Sequence, residues 1–451
     1  MTQYEKMTQT PIPKLIVSLS IPTIISMLVT NIYNLVDTAF VGKLGTSASG
    51  AVGVVFGFMS ILQAIGFLFG QGSGSIIARR LGTKDNEAAS EVASTGFFTA
   101  FGIATLVGIG CMIGLDDLVT WLGSTPTIAP YAKSYIMFIL IAAPFMVTSF
   151  TLNNILRYEG KAILGMVGLM VGAVLNILGD AILMFGCHLG IMGAGISTAV
   201  SQIISFGILI SMFLRGRTSC RISLRNFRFR EGVIWEIVST GFPSLLRQGL
   251  NSITTVLLNS EAAVYGDPAV AAMSIVSRII FFMASVAIGV GQGFQPVSGF
   301  NYGAGRYDRV KKGYWFTMIL SEVILTGLGI VVFVLSPDLI RIFRDHESVV
   351  SIGTRALRLQ AISQVVMPLC MSTEMMFQST GNRIPATLLS AMRNGIIFIP
   401  TLLILANLRG LAGIQEAQPL ANLLGVIPTV ICAVWFFRSK LKGKENKHES
   451  I

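Results

Sequence analysis

Charged residues are scarce in this chain of 451 residues: only 12% of its positions are Asp, Glu, Lys or Arg, whereas 53% are hydrophobic, and the mean hydropathy is +0.72. So small a charged fraction excludes a water-soluble globular fold. The apolar stretches run for about 20 residues or more, the length of a helix that crosses a membrane, and they lack the alternation typical of barrel strands. The sequence therefore predicts an all-α integral membrane protein.

Histidine and cysteine are also rare. The three histidines fall in loops or the tail, and the five cysteines show no CxxC spacing, which indicates neither a disulfide framework nor a metal site built on them. Gly160-Lys161 is the nearest approach to a phosphate-binding loop, but Ala162 follows it and the glycine-rich cradle is missing. We expect no cofactor and no ATP hydrolysis, so that any uphill transport would use an ion gradient.

The apolar pattern predicts twelve membrane-spanning helices, six in each half of the chain. An even number per half means that both halves enter the membrane from the same side, so the repeats are parallel rather than inverted. The predicted spans are 14–40, 48–71, 90–114, 130–155, 162–186, 190–214, 236–260, 269–295, 313–336, 351–378, 383–406 and 411–437.

The two halves carry the same landmarks 221 residues apart. Internal symmetry of this kind is typical of secondary transporters, which leads us to expect a central cavity and a working site between the repeats. The matching landmarks are Pro22 and Pro243, Gly45 and Gly266, Gln71-Gly72 and Gln292-Gly293, Gly82 and Gly303, and Gly160 and Gly381.

The duplication predicts an N-terminal lobe at 1–214, a basic linker at 215–235, a C-terminal lobe at 236–437 and a basic tail at 438–451. The linker could lie on anionic headgroups or be a solvated loop. Lys and Arg concentrate in the termini and in one set of loops, so the positive-inside rule predicts cytoplasmic termini. The same asymmetry explains the net charge of +11 without a nucleic-acid partner.

Two acidic residues fall inside predicted spans of the first half, Asp37 and Asp180. Counting from the cytoplasmic anchors at 1.5 Å per residue places them about 34 Å and 29 Å up, which is the same level within error. Asn34 and Asn176 each lie one turn before an acid on the same helical face. Two nearby carboxylates cannot both ionise cheaply, so the group suits a shared proton or Na⁺. Alternatively, Asp37 simply caps its helix.

The second half lacks these acids, because Leu258 and Thr401 stand at the duplicate positions. Glu374 and Arg393 flank the turn at Gly381 at nearly matching depth, and a helical hairpin there would bring them together. We interpret them as a structural charge pair. Met146 and Phe150, from the first half, are candidates for an adaptable cavity lining, although such residues are more often packing.

The segment GQGFQPVSGFNYGAGR at 291–306, its echo GQGSGSIIARRLGTKD at 70–85, and the segments NIYNLVDTAFVG at 31–42 and QSTGN at 378–382 resemble the multidrug and toxic compound extrusion (MATE) family along almost the whole chain. The resemblance implies two six-helix bundles around a central cavity and antiport of cationic or amphiphilic drugs against H⁺ or Na⁺.

At the level of residues, Asp37 matches the first-helix acid of the bacterial branch similar to DNA-damage-inducible F, and Asn176 and Asp180 match its fifth-helix pair. The acids that mark the other bacterial branch are not clearly matched by Glu261 and Glu374. Further polar cavity residues implied by the resemblance are Tyr135, Asn153 and Thr198.

The leading hypothesis is a monomeric multidrug exporter in a bacterial cytoplasmic membrane, surrounded by lipid, with small cationic or amphiphilic drugs as substrates. The nearest alternative is a flippase for a lipid-linked substrate in the same superfamily, which would need a cationic cavity. A membrane-embedded enzyme is a third alternative, but no nucleophile, base or metal constellation is visible.

Overall fold

The structure is a computed structural model that describes residues 2–228 and 231–441. Between these bounds the chain forms helices and short connections, and no strand occurs there. Positions 229–230 of the linker and the predicted basic tail from 442 onward lie outside the described residues.

Seventeen α-helices occur in the described part of the chain. They are α1 Gln3–Gln9, α2 Ile12–Gly42, α3 Thr46–Gly82, α4 Asn86–Ile113, α5 Leu115–Trp121, α6 Ala129–Tyr158, α7 Ala162–Asp180, α8 Gly190–Leu214, α9 Glu231–Ala263, α10 Asp267–Gly303, α11 Tyr307–Val334, α12 Ser336–Phe343, α13 Glu347–Ser363, α14 Met367–Ser379, α15 Arg383–Ala391, α16 Phe398–Arg409 and α17 Leu411–Trp435.

All twelve predicted spans fall on these helices, and ten helical segments of the described chain are long and apolar enough to cross a membrane. The other two predicted spans differ in a way that the sequence explains. Helix α9 is long but carries Arg247, Gln248 and Asn251 in its middle. The span predicted at 351–378 is divided into α13 and α14 by a 3₁₀ turn at Gln364–Val366. The all-α membrane fold is thus confirmed.

Three π-helical turns occur among the described residues. Ala181–Gly186 continues α7 directly after Asp180, Met392–Ile397 joins α15 to α16, and Phe436–Leu441 continues α17. In the second case Pro400 follows within one turn, and its ring would collide with the carbonyl of residue 396 in a regular α-helix, so the wider turn relieves the clash. Pro22, Pro144 and Pro243, also expected to bend helices, lie inside α2, α6 and α9.

The chain divides into two compact units. The first contains Met1–Tyr4 and Ile25–Gln248, and the second contains Glu5–Ile24 and Gly249–Ile451. The division therefore passes through α2 two residues after Pro22 and through α9 five residues after Pro243, the two prolines that recur as landmarks. The N-terminal part of α2 belongs to the second unit and the rest of α2 to the first. The N-terminal part of α9 belongs to the first unit and the rest of α9 to the second.

Small residues let the helices of the first unit approach closely. Gly66, Gly70 and Gly74 recur every fourth residue along α3 and face α6. A Cβ at Gly66 would lie 2.8 Å from the Cβ of Phe150, and one at Gly74 would lie 2.2 Å from the ring of Tyr158. Contacts this short need glycine, as is common where membrane helices pack by van der Waals contact.

Two pairs of duplicated glycines serve as turns. Gly45 and Gly266 have φ of 120° and 88°, and each precedes a helix of 37 residues. Gly160 and Gly381 have φ of 78° and 80° in the turns before α7 and α15. A side chain is disfavoured in this region of backbone space, which explains why the glycines recur in both halves.

The linker is held against the first unit at 217–223. The buried carboxylate of Glu159 accepts the backbone N–H groups of Ser219 and Cys220, at 2.8 Å and 3.0 Å. The Lys161 ammonium donates to the Arg217 carbonyl at 2.6 Å, and Ser94 Oγ donates to the Arg221 carbonyl at 3.1 Å. This part of the linker is therefore a packed element rather than a free loop.

Burial shapes the chemistry of this contact. It raises the pKa of the Glu159 carboxyl above its ordinary 4.5, although the hydrogen bonds from Ser219 and Cys220 and the nearby Lys161 oppose the rise. Burial, together with the neighbouring Glu159 carboxylate, also holds the pKa of the Cys220 thiol well above its usual value. Because the thiolate is the reactive form, Cys220 is expected to be inert in the folded protein.

Candidate ion-coupling site

The structure brings the two predicted acids together inside the first unit. Asp37 lies toward the end of α2, and Asp180 is the last residue of α7, where the π-helical turn begins. Asp37 is 8% exposed and Asp180 is fully buried. The two carboxyl groups lie within hydrogen-bond reach of each other, so that one proton or cation could be shared between them.

Tyrosines surround the carboxylate pair. The Tyr135 hydroxyl, from α6, donates to Asp37 Oδ2 at 3.4 Å and lies 3.9 Å from the sulfur of Met59. Tyr33, one turn before Asp37 on α2, is buried beside both acids. Tyr33 is not among the site residues predicted from the sequence, although its spacing of four residues from Asp37 places it on the same helical face.

The predicted amide of α7 is part of the same group. Asn176 Nδ2 donates to Thr198 Oγ1 on α8 at 3.1 Å, and the Asn176 backbone carbonyl accepts from Ser197 Oγ at 2.9 Å. These bonds fix the amide so that its oxygen is left for another partner. Asn34, the other predicted amide, is half-buried, and the structure shows no hydrogen bond that joins its side chain to the carboxylates.

Four buried oxygens of this site accept no hydrogen bond from any residue that the structure describes: Asp37 Oδ1, Asn176 Oδ1 and both carboxylate oxygens of Asp180. Unmatched buried oxygens are costly, because each has lost its hydration without gaining a donor. Oxygen-only ligand sets suit hard cations, and carboxylates equally suit protons. The residues therefore fit either H⁺ or Na⁺, with Asp37, Asp180 and Asn176 as the groups that would hold Na⁺.

The backbone around Asp180 also indicates a functional site. The π-helical turn of Ala181–Gly186 begins directly after it, and such turns are frequent at functional sites. On the same helix, a Cβ at Gly179 would lie 2.4 Å from Ser197 Oγ, so α7 and α8 are in close contact at this level. The acid is thus held between a tight helix contact and a widened turn.

The other predicted cavity residues lie on α6. Met146 and Phe150 are buried, and the ring of Phe150 packs 5.5 Å from that of Phe67. Asn153 is half-buried against Gly165 of α7, where a Cβ would lie 2.7 Å from its Nδ2. These contacts account for Met146 and Phe150 as packing, and their role in lining a cavity stays a prediction.

Glu374 and Arg393 line the same small cavity in the second unit, which has a volume of about 10 Å³, room for about one water. Glu374 Oε1 accepts from Ser390 Oγ at 2.6 Å, whereas Arg393 Nε donates to Asn394 Oδ1 at 3.2 Å and its buried Nη1 has no partner. No ion pair between the two is found among the described residues. A structural charge pair here stays a prediction.

The profile of the MatE family matches residues 22–182 and 243–404. The chain belongs to this family. The two matches begin 221 residues apart, which confirms the duplication predicted from the repeated landmarks. One match lies in each half of the chain, so both repeats support the family assignment.

Relatives and solved structures agree with the family. The chain is 28% identical over 423 residues to multidrug export protein MepA of Staphylococcus saprophyticus, covering 94% of this chain and 93% of that protein. It is 26% identical to MepA of Staphylococcus aureus strain MRSA252, covering 96% of each. An outward-facing multidrug resistance MATE transporter of the MOP superfamily is similar with a TM-score of 0.92, 25% identity and 99% coverage of both chains.

Proposed function

We propose that this protein exports cationic or amphiphilic small molecules by antiport with H⁺ or Na⁺. The observation that carries the proposal is the meeting of Asp37 and Asp180 in a MatE-family chain, with four buried oxygens left without donors. Its relatives named as multidrug export proteins support the substrate class. They also speak against the flippase and the membrane enzyme as alternatives.

Antiport follows from competition for negative charge. A proton or Na⁺ bound between Asp37 and Asp180 neutralises the pair, and a cationic substrate would favour the same pair in its ionised form. Binding of one therefore weakens binding of the other, and linkage makes this effect reciprocal. A gradient of the small ion can then drive release of the substrate.

The neighbouring polar groups would tune the exchange. Tyr135 donates to Asp37, and Thr198 fixes the amide of Asn176. In this proposal Asn153 and Thr198 contact substrate, Met146 and Phe150 supply an apolar wall, and Asn34 supports Asp37 from one turn below. Each of these residues can be substituted while Asp37 and Asp180 are kept, so each role can be tested separately.

The test measures efflux of a fluorescent lipophilic cation from vesicles in which the H⁺ gradient and the Na⁺ gradient are dissipated separately, with ATP present throughout. We expect efflux to collapse with one gradient and to survive removal of the other, which identifies the coupling ion. Efflux that continues without either gradient would contradict the proposal, because the chain would then draw on another energy source.

We further propose that the chain works as a monomer in a bacterial cytoplasmic membrane with both termini in the cytoplasm. The concentration of Lys and Arg in one set of loops supports this orientation. Under it, the docked linker and Glu159 lie on the cytoplasmic side, and the connection that contains Cys187 lies outside.

A further inference from the structure

A groove of about 520 Å³ lies in the second unit, between the end of α11, the short helix α12 and α13. Its walls include Phe333, Leu359 and Ile362, and the side chain of Ile362 is 60% exposed. The volume is in the range of small-molecule sites. This part of α13 lies in the span predicted at 351–378, so we expect Leu359 and Ile362 to face lipid.

One cation in this groove lacks a counter-charge. Arg358, on α13, donates from Nε to Ser336 Oγ at 3.0 Å and to the Phe333 carbonyl at 3.3 Å. Its guanidinium also lies 5.2 Å from the centre of the Phe333 ring. These bonds fix the stem, but no carboxylate oxygen of the described residues lies within 4.0 Å of the guanidinium.

The neighbouring charges are matched or distant. Arg355 also lines the groove, but it is paired with Glu416 at 3.1 Å. Glu347 also lines the groove, but it begins α13 eleven residues before Arg358, which corresponds to about 16 Å along a helix. At the end of the groove that contains Leu359 and Ile362, Arg358 is therefore the nearest unpaired charge for an incoming anion.

Helix α12 indicates where the membrane surface lies. Its residues Ile342 and Phe343 are 77% and 44% exposed, while Asp338 and Arg341 give it a charged side. A short helix with exposed apolar residues and a charged face is typical of the membrane interface. The mouth of the groove is thus at the level of lipid headgroups.

We propose that this groove binds a membrane phospholipid, with the phosphodiester on Arg358 and an acyl chain along Leu359 and Ile362. A guanidinium matches the geometry of phosphate oxygens, and an unpaired one is expensive within a membrane. The buried hydroxyl of Thr354 lies one turn before Arg358 on the same face, has no hydrogen-bond partner among the described residues and can donate a further bond. Cationic drugs are disfavoured here by the charge of Arg358.

The test uses the purified full chain in detergent and measures retained phosphatidylglycerol by native mass spectrometry and the lipid-induced shift in thermal unfolding. Arg358→Gln should weaken lipid binding by about tenfold, as the loss of a charged hydrogen bond predicts. The matched control is Arg341→Gln, which removes the same charge from the neighbouring α12, where its 4.0 Å contact with Asp338 is exposed. That control should bind lipid as the parent does.

Two further arms decide the outcome. Ile362→Trp fills the groove at an exposed position and leaves Arg358 in place, so it should also reduce lipid binding without unfolding the protein. Inorganic phosphate, which has no acyl chain, should stabilise the protein much less than the lipid does. Equal lipid binding by the Arg358→Gln and Arg341→Gln proteins, or equal stabilisation by phosphate and lipid, would overturn the proposal.

Discussion

The carboxyl groups of Asp37 and Asp180 face each other, although α2 and α7 are the first and fifth membrane helices of their repeat. Both helices belong to the first unit at these positions. The duplicate positions in the second repeat are Leu258 and Thr401, so the pair has no counterpart there. The two repeats share a fold but do not share this chemistry.

The pair predicts a non-additive response to neutralisation. Asp37→Asn and Asp180→Asn should each leave a folded protein and reduce gradient-driven efflux by about 5- to 150-fold, the range of typical coupling energies. The double variant should be little worse than either single one, because both remove the same shared site. Vesicle efflux at matched expression measures the effect.

Asp117→Asn is the control for the carboxylate pair, because Asp117 is exposed at the start of α5 and far along the chain from either acid. It should export at the parental rate. Additive losses in the double variant would show that Asp37 and Asp180 act independently, and parental efflux in either single variant would exclude that acid from coupling.

Much of the architecture could be predicted from the sequence because membrane spans are set by length and apolarity. Counting residues from the cytoplasmic anchors also placed Asp37 and Asp180 at a common level, since helical rise depends little on side chains. The same count placed Glu374 and Arg393 at similar depth, but depth does not fix rotation about the helix axis. In the structure, Glu374 bonds to Ser390 and Arg393 to Asn394.

Local breaks were harder to predict. The π-helical turn after Asp180 has no sequence signal as clear as a proline, whereas the turn before Pro400 follows from the missing N–H and the bulk of the ring. Tyr33 carries no clear sequence signal of a site, because tyrosine in a membrane helix is more often interfacial than buried. Docking of the linker on Glu159 depends on contacts distant in sequence, which composition alone does not reveal.

The close contact between α9 and α3 predicts that one added methyl group at Gly241 lowers the stability of the protein. A Cβ at Gly241 would lie 1.9 Å from the backbone oxygen of Leu68, which cannot move as a flexible side chain can. We expect Gly241→Ala to lower stability by about 1–3 kcal/mol or more, the usual cost of overpacking. Thermal unfolding in detergent measures it.

Gly249 provides the matched control on the same helix. An added Cβ there meets nothing within 4 Å, so Gly249→Ala should unfold at the parental temperature or slightly above it. Equal melting temperatures for the two alanine variants would show that α3 and α9 are not in close contact at Leu68.

The buried carboxyl of Glu159 predicts a pH-dependent stability. Because burial raises its pKa above 4.5, the folded protein binds this proton more tightly than the unfolded chain does. The stabilisation from Glu159 is therefore full below about pH 4.5 and is lost as the pH rises through the folded pKa. Glutamine at position 159 cannot titrate, so the melting temperature of the parent minus that of Glu159→Gln should fall as the pH rises above about 4.5.

Glu87→Gln is the control for the substitution itself, because it removes an exposed carboxyl from the first turn of α4. A difference between the parent and Glu159→Gln that does not change with pH would show that the Glu159 carboxyl titrates alike in the folded and unfolded chains.

The proposed orientation can be tested largely with native cysteines. Cys187 is exposed in the connection after the π-helical turn of α7, whereas Cys220 is fully buried beside Glu159 and should not react from either side. A membrane-impermeant maleimide added to intact cells should therefore label Cys187, and Cys187→Ser should remove that signal. In the Cys187→Ser background, a new cysteine at the exposed linker position Arg225 should react only after permeabilisation. The docked linker and the Cys187 connection are separated by the single membrane helix α8, so they lie on opposite sides of the membrane. The opposite orientation would be shown if Arg225→Cys were labelled from outside intact cells and Cys187 were protected in the parent.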